Sequence, residues 1–408
     1  MADTFLPMVT TTAYYTDALY RIYPSDGYDG VVRVSFGGYY ATGTLLYDGH
    51  AVLTAAHLFE GRTGTAYVTF ETPSGTQTVS ATEILQHPGY DAENINNDLA
   101  IVWLPEAAPV DADRYEIYRA SDEIGQVFTF SGYGLTGTGA TGTISTNAGS
   151  PIRLKSANQF DADAVALKDH LGPNMAWTPL PGTQLIADFD NGSSTNDALG
   201  QLIHRYDRGL GLYEGLIAPG DSGGPAFLQN KVAGVATYTA SLTCGSIDPD
   251  IDDFMNSSFG EIAAWERVSA HQQWIDQSLR AEYPNAPTRP EEVQKEVVEG
   301  DSGTSYAYFL LQFIGVRSDP NEILSVDYAT RDGTALGDSD YLPVSGTLNL
   351  YPDENQAVIP VEIIGDSIPE PSESFYLDVF NPVGGSFGEG VVQLTGVRMI
   401  LDDDVWLA

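Results

Sequence analysis

Short apolar runs separated by turn residues fill most of the first part of the chain. They read GVVRVSF (30–36), ATGTLLY (41–47), AVLTAAH (51–57), AYVTF (66–70), DLAIVWL (98–104), QVFTFSGYG (126–134), QLIADF (184–189) and KVAGVATY (231–238). Many short strands at close spacing predict a barrel or sandwich. One helical pattern interrupts them, AWERVSAHQQWIDQSL (264–279), with an apolar stripe of Trp265, Val268, Trp274, Ile275 and Leu279. The proline-rich RAEYPNAPTRPEE that follows reads as a linker. Strand-like runs then resume: SYAYFLLQFI, ILSVDYAT, GTLNLY, AVIPVEII, SFYLDVF and VVQLTGVRMI. They suit an antiparallel sandwich of about seven strands. The expected organisation is a lead-in or propeptide at 1–28, a first domain at 29–280, a linker at 281–292 and a second domain at 293–408.

Charge narrows the partners. With 18 basic against 56 acidic residues, the net charge is −38. That balance argues against nucleic acid and anionic membranes and suits calcium, which favours clustered carboxylates. A lone Cys244 permits no intramolecular disulfide. No apolar run is long enough to span a membrane. The N-terminal MADTFLPMVTTTAYY lacks the basic and apolar regions of a secretory signal.

Candidate chemistry centres on Gly220-Asp221-Ser222-Gly223-Gly224-Pro225. A serine hydroxyl becomes a nucleophile only with a base to take its proton and donors to receive an oxyanion. Among six histidines, His57 stands out, because an apolar strand delivers it through small residues in AVLTAAH. Asp98, at the mouth of another apolar strand, suits the acceptor that fixes a histidine tautomer. The same glycines fit the G-x-S-x-G elbow of α/β-hydrolases, but that elbow needs a following helix and a downstream histidine. Here a proline and a strand-like run follow, and only His271 lies downstream.

LTAAH, NDLAIVWL and GDSGGP, in that order and with the terminal helix, resemble the trypsin/chymotrypsin family of serine peptidases over roughly residues 29–280. The resemblance implies an all-β, two-barrel peptidase with a C-terminal helix. Ser222 would be the nucleophile, His57 the general base and acid, and Asp98 the group that orients His57. The N–H groups of Gly220 and Ser222 would form the oxyanion hole, and a protein or peptide would be the substrate. Leu216 falls at the floor of the substrate pocket, Thr239 and Ala263 at its walls, and Thr237, Tyr238 and Thr239 beside the substrate backbone. An apolar floor leaves a buried Lys or Arg without a partner, so small or medium apolar residues are expected before the scissile bond. Asp221 resembles the acid that pairs with a new N-terminus after activation, which makes Arg21–Ile22 a candidate activation site. The following YPSDG departs from the family's usual start, and an internally paired Asp221 is an equal expectation. The missing disulfides suit a bacterial type of scaffold.

Residues 293–404 resemble a Calx-β domain through VVEGDSGT, VDYATRDGTALGDSDYLPVSGTLNL, VEIIGDSIPEPSESFYLDVFNP and ILDDD. That resemblance implies an immunoglobulin-like sandwich with calcium at one end. Its expected ligands are Glu299, Asp332, Asp366, Glu370, Glu373, Asp402, Asp403 and Asp404, while the family's frequent acids are absent at Gly365 and Ser367. The DFDNGSSTND stretch (188–197) lacks calcium-loop spacing and reads as an Asx-rich turn. The combined expectation is an extracellular or cell-surface serine endopeptidase, with a cell-surface or matrix partner available to its second domain. The competing expectation is a calcium-dependent adhesive module with an inactive peptidase fold.

Overall fold

The computed structural model describes residues 9–14, 16, 18–143 and 151–404. The first eight residues of the lead-in and the last four of the second domain lie outside the described residues. The chain divides into two compact units. The first holds the chain up to Leu46, His50–Glu106 and Asp111–Gln272; the second holds Tyr47–Gly49, Ala107–Val110 and the chain from Gln273 onward.

Two curled antiparallel half-barrels, of seven strands each, make up most of the first unit. One runs in the order Gly75–Ser80, Tyr67–Thr72, Val31–Phe36, Tyr39–Leu45, Ala51–Thr54, Ala100–Trp103, Glu83–Gln86. The other runs Leu154–Gln159, Val127–Gly132, Pro225–Leu228, Lys231–Ala240, Ile262–Arg267, Gln184–Asp188, Ala162–Asp163. These are the two barrels expected of the sequence. The second is filled by aromatic rings: Phe128 stacks on Phe160 at 3.9 Å, and Trp265 meets Phe128 edge-on at 4.9 Å. Such rings carry the largest apolar burial per residue in a core.

That packing corrects the helix expected from residue 264. Trp265 lies in strand Ile262–Arg267, paired with Leu185 and Ala236, and the helix is Val268–Glu282. The tryptophan belongs to the barrel core rather than to the helical stripe. Two shorter helices, Val165–Leu171 and Ala198–Ile203, escaped the sequence pattern because neither is long enough to show a periodicity. The lead-in also takes part in the fold: strand Val9–Thr11 pairs with Thr136–Thr138 and with Gly215–Leu216. Further along it, Arg21 bridges to Leu154 and the buried Ile22 donates its N–H to Arg153 O.

The second unit contains a five-stranded sheet, Glu296–Val298, Gln393–Leu401, Glu373–Val383, Leu324–Asp332, Ser345–Leu350, and the two-stranded pair Gly303–Gln312 with Gln356–Gly365. Apolar side chains from both, including Phe309, Ile359, Val361, Phe375 and Leu377, form one core between the sheets. This is the expected sandwich, with its alternating inward positions buried.

Candidate active site

Strand Ala51–Thr54 ends in a short turn of 3-10 helix that carries His57. Asp98 stands just before strand Ala100–Trp103, which pairs with Ala51–Thr54, so the two side chains are brought together by neighbouring strands. Asp98 is 0% exposed. One carboxylate oxygen accepts the His57 backbone N–H at 2.8 Å, and the other lies 2.6 Å from His57 Nδ1. Burial lowers the imidazole pKa, but the hydrogen bond and charge of Asp98 outweigh it, and His57 stands above the ordinary histidine value. Thr237 donates its hydroxyl to the same Asp98 oxygen. Its side chain therefore supports the acid, while the place beside the substrate that the resemblance implies belongs to the strand backbone.

Behind Asp98 lies a second His–carboxylate pair. Buried Glu266 lies beside Asp98 and 2.8 Å from His271 Nε2. Burial raises the Glu266 pKa and His271 opposes the rise. His271, the residue that the hydrolase alternative required, is thus engaged with Glu266.

Ser222 sits in a turn fixed from both half-barrels. Thr42 N–H donates to Ser222 O at 2.9 Å, and the Thr42 hydroxyl donates to Gly220 O at 2.9 Å while accepting Tyr133 N–H at 3.0 Å. Gly223, at φ +82°, lies so close to the strand that delivers His57 that a Cβ there would meet Thr54 Oγ1 at 2.1 Å and Ala55 N at 2.8 Å. Gly220 has φ +103°, and a Cβ would come 2.9 Å from Gly134 Cα. Among the described residues, the N–H groups of Gly220 and Ser222 have no acceptor, and the Ser222 hydroxyl makes no hydrogen bond, to His57 included. Asp221 turns inward and accepts Gly134 N–H at 2.7 Å and Ala218 N–H at 2.8 Å. Complete burial pushes its pKa up to about 7 against those two bonds.

The expected pocket residues lie on the adjoining strands. Leu216 is wholly buried in strand Gly215–Leu216 and belongs to the barrel core. Thr239 pairs with Ala263 across strands Lys231–Ala240 and Ile262–Arg267. The Tyr238 hydroxyl donates to Gln184 Oε1 at 3.0 Å and accepts Trp177 Nε1–H at 3.0 Å.

In the second unit five of the eight expected acids, with Asp340, form two groups. Glu299, Asp366 and Asp404 bring carboxylate oxygens within 4.8 Å of one another, as do Asp340, Glu370 and Glu373. Asp402 holds the turn, accepting Glu370 N–H at 2.8 Å and Asp404 N–H at 2.9 Å, and Asp403 accepts Gly300 N–H at 3.1 Å. Burial followed by the neighbouring carboxylates pushes Glu299 up to about 7. Asp332 joins neither group: it accepts the Tyr341 hydroxyl at 2.5 Å and Gly337 N–H at 2.9 Å. Asp340 stands in the second group. The GDSDY stretch carried that signal, since it sets a second acid in the same turn region.

Comparison with known proteins adds the following. The Trypsin family model matches residues 23–161, which include His57 and Asp98 and stop short of Ser222. The Calx-beta domain model matches residues 312–404. The sodium/calcium exchanger Calx of Drosophila melanogaster is 37% identical over 91 residues, 22% of this chain and 9% of that protein. Serine protease 56 of Mus musculus is 38% identical over 89 residues, 20% of this chain and 15% of that protein. A Corynebacterium glutamicum protein, named provisionally as a peptidase, is 24% identical over 249 residues, 60% of this chain and 66% of that protein. The chain thus spans only a small part of the first two of these relatives.

Proposed function

The chain joins a trypsin-family peptidase domain to a Calx-beta domain, and from that premise we propose that it is a serine endopeptidase whose second domain binds calcium. The carrying observation is Asp98, fully buried and bonded to both the backbone N–H and Nδ1 of His57. That pairing places the Nδ1 proton against the carboxylate and leaves Nε2 as the basic nitrogen. Nε2 takes the Ser222 proton as Oγ attacks the scissile carbonyl. Asp98 stabilises the imidazolium that forms, and the N–H groups of Gly220 and Ser222 receive the oxyanion. The imidazolium then protonates the leaving amine, and water repeats the sequence on the acyl-enzyme.

The apolar Leu216 and the Thr239–Ala263 pair favour a small or medium apolar residue before the scissile bond. A concave patch lined by Arg33, Phe36, Tyr39, Tyr40 and Tyr67 adjoins Gly220 through the Tyr40 ring and suits the peptide beyond that bond. Cleavage of an unstructured protein, lost in both Ser222→Ala and His57→Ala, is the expected result. Full proteolysis by Ser222→Ala would sink the mechanism.

The acid groups of the second domain fit calcium. Glu299 Oε1 and Asp404 Oδ2 are buried without a hydrogen-bond partner, and the donors are carboxylates throughout. Glu299, Asp366 and Asp404 would hold one ion, with Asp340, Glu370 and Glu373 beside them; bound calcium supplies charge neutralisation and no step of the peptidase reaction. Among the described residues no helix is long and apolar enough to cross a membrane. We place the protein outside the cell or at its surface, where calcium of the required concentration is present, with the second domain open to a surface or matrix partner.

A further inference from the structure

A third group of acids lies inside the peptidase domain, remote in sequence from both His57 and the Calx-beta acids. Asp188 ends strand Gln184–Asp188, Asp190 follows it, and Asp197 caps helix Ala198–Ile203. Asp161, Asp188 and Asp207 bring carboxylate oxygens within 4.8 Å of one another, and so do Asp188, Asp190 and Asp197. The stretch 188–197 does form the Asx turn read from the sequence, with Ser193 N–H on Asn191 Oδ1. Its three aspartates, however, are buried.

Backbone donors orient part of the set. Asp188 accepts Leu199 N–H at 2.7 Å, Asp197 accepts Gly200 N–H at 2.6 Å, and Asp207 accepts Gly209 N–H at 2.8 Å. Glu214 accepts the N–H groups of Asp190 and Leu210 at 2.7 and 2.5 Å. Asp190 differs. It is 2% exposed, and both of its carboxylate oxygens are buried without a donor; Asp161 Oδ2 is in the same position. Asp207, itself a carboxylate, lies within hydrogen-bonding reach of both, so short of a cation only a shared proton can join them. A buried carboxylate needs hydrogen bonds or a counter-charge, and one aimed at other carboxylates has neither. Arg208, the basic side chain that acts on the group, acts on Asp197.

We propose that Asp161, Asp188, Asp190 and Asp207, with Asp197 and Glu214 at the rim, hold one calcium ion within the second half-barrel. Carboxylate oxygens from several loops, without nitrogen or sulfur donors, match the irregular, oxygen-rich shell that calcium accepts and magnesium does not. The ion has a structural consequence. Glu214 leads directly into strand Gly215–Leu216 and on to the Ser222 turn, so calcium clamps the base of that segment to the end of strand Gln184–Asp188.

The test counts calcium ions per full-length chain by equilibrium dialysis after EDTA stripping, with magnesium as the control ion. Asp161→Asn/Asp190→Asn should bind one calcium fewer than the wild type. Glu299→Gln/Asp366→Asn should lose only the ions of the second domain. The Asp161→Asn/Asp190→Asn chain should also melt lower than wild type in calcium and no lower in EDTA. An unchanged count, or a higher melting temperature in calcium as well as in EDTA, overturns the proposal in favour of carboxyl groups that share protons. Hydrogen exchange on the wild type keeps the test independent of the variant's folding. Calcium should slow exchange at the N–H groups of Leu199, Gly200, Gly209 and Leu210, and unchanged exchange there while the second domain responds overturns the proposal.

Discussion

Thr237→Val removes one hydroxyl and little else. Valine has nearly the same shape, so no cavity opens, and the change isolates the bond from Thr237 to Asp98. Asp98 is wholly buried and accepts three donors: His57 N–H, His57 Nδ1–H and Thr237 Oγ–H. Water cannot replace the third at a site with 0% exposure. A hydrogen bond to a charged group contributes about 1.5–3 kcal/mol, which sets the expected loss of unfolding free energy at roughly 2 kcal/mol. For a domain of this size that is a fall in Tm of about 4–8 °C. Urea unfolding followed by the emission of buried Trp265, together with kcat/KM on an ester substrate, reads both consequences. His57 keeps its own bonds to Asp98, so the kinetic loss should be near tenfold, far below that of replacing the acid. Thr237→Ser should restore both quantities. If Thr237→Val stays within about 0.5 kcal/mol of wild type, the range of a neutral surface change, the hydroxyl does not support Asp98. Equal damage from valine and serine would show that the methyl group, not the hydroxyl, matters.

Further outcomes follow from the geometry of the two domains. Because Asp98 holds the His57 pKa above its ordinary value, kcat/KM should rise with pH through that raised value as the imidazole becomes neutral. The stability contributed by protonated His57 runs the other way: it is complete below the unfolded pKa and lost as pH rises through the folded one. Asp98→Asn should lower kcat by roughly 10⁴-fold and move the midpoint downward, and an unmoved midpoint would remove Asp98 as the cause. Gly220→Ala should lower kcat by about 10²–10³-fold with little change in KM, since the φ of +103° and the nearby Gly134 Cα force the N–H out of place; a fully active variant would exclude that N–H from the oxyanion hole. EDTA should lower the Tm of the second domain, by the equivalent of about 2.7 kcal/mol when calcium had stood at a hundred times its Kd, and Glu299→Gln/Asp366→Asn should abolish the response in calorimetry.

What could be read from the sequence was whatever is local. LTAAH, NDLAIVWL and GDSGGP each set a candidate residue against small or apolar neighbours within a few positions, so the two barrels were legible and His57, Asp98 and Ser222 stood out as the proposed catalytic set. The supports of those residues were not. Thr42 reaches Gly220 across 178 positions and Thr237 reaches Asp98 across 139, and no run of residues advertises a hydrogen bond of that span. Trp265 was assigned to a helix because its spacing to Val268 fits a helical stripe, whereas the aromatic cluster of the barrel holds it in a strand. In the second domain five of the eight expected acids fall in the two groups: Asp332, Asp402 and Asp403 accept hydrogen bonds locally instead, and Asp340 turns towards Glu370 and Glu373. In the peptidase domain the 188–197 stretch by itself reads as a turn, because Asp161 and Asp207, which complete its group of acids, come from separate segments that only the folded barrel brings together.

The most direct test of the serine peptidase reading is the intact mass of the protein after treatment with a fluorophosphonate in calcium, with Ser222→Ala alongside. A single adduct on the wild type, absent from Ser222→Ala, is the expected result, because only a serine activated by His57 reacts. No adduct on folded protein, whether intact or cut at Arg21–Ile22, or an adduct that persists in Ser222→Ala, would contradict the assignment of Ser222 as the nucleophile.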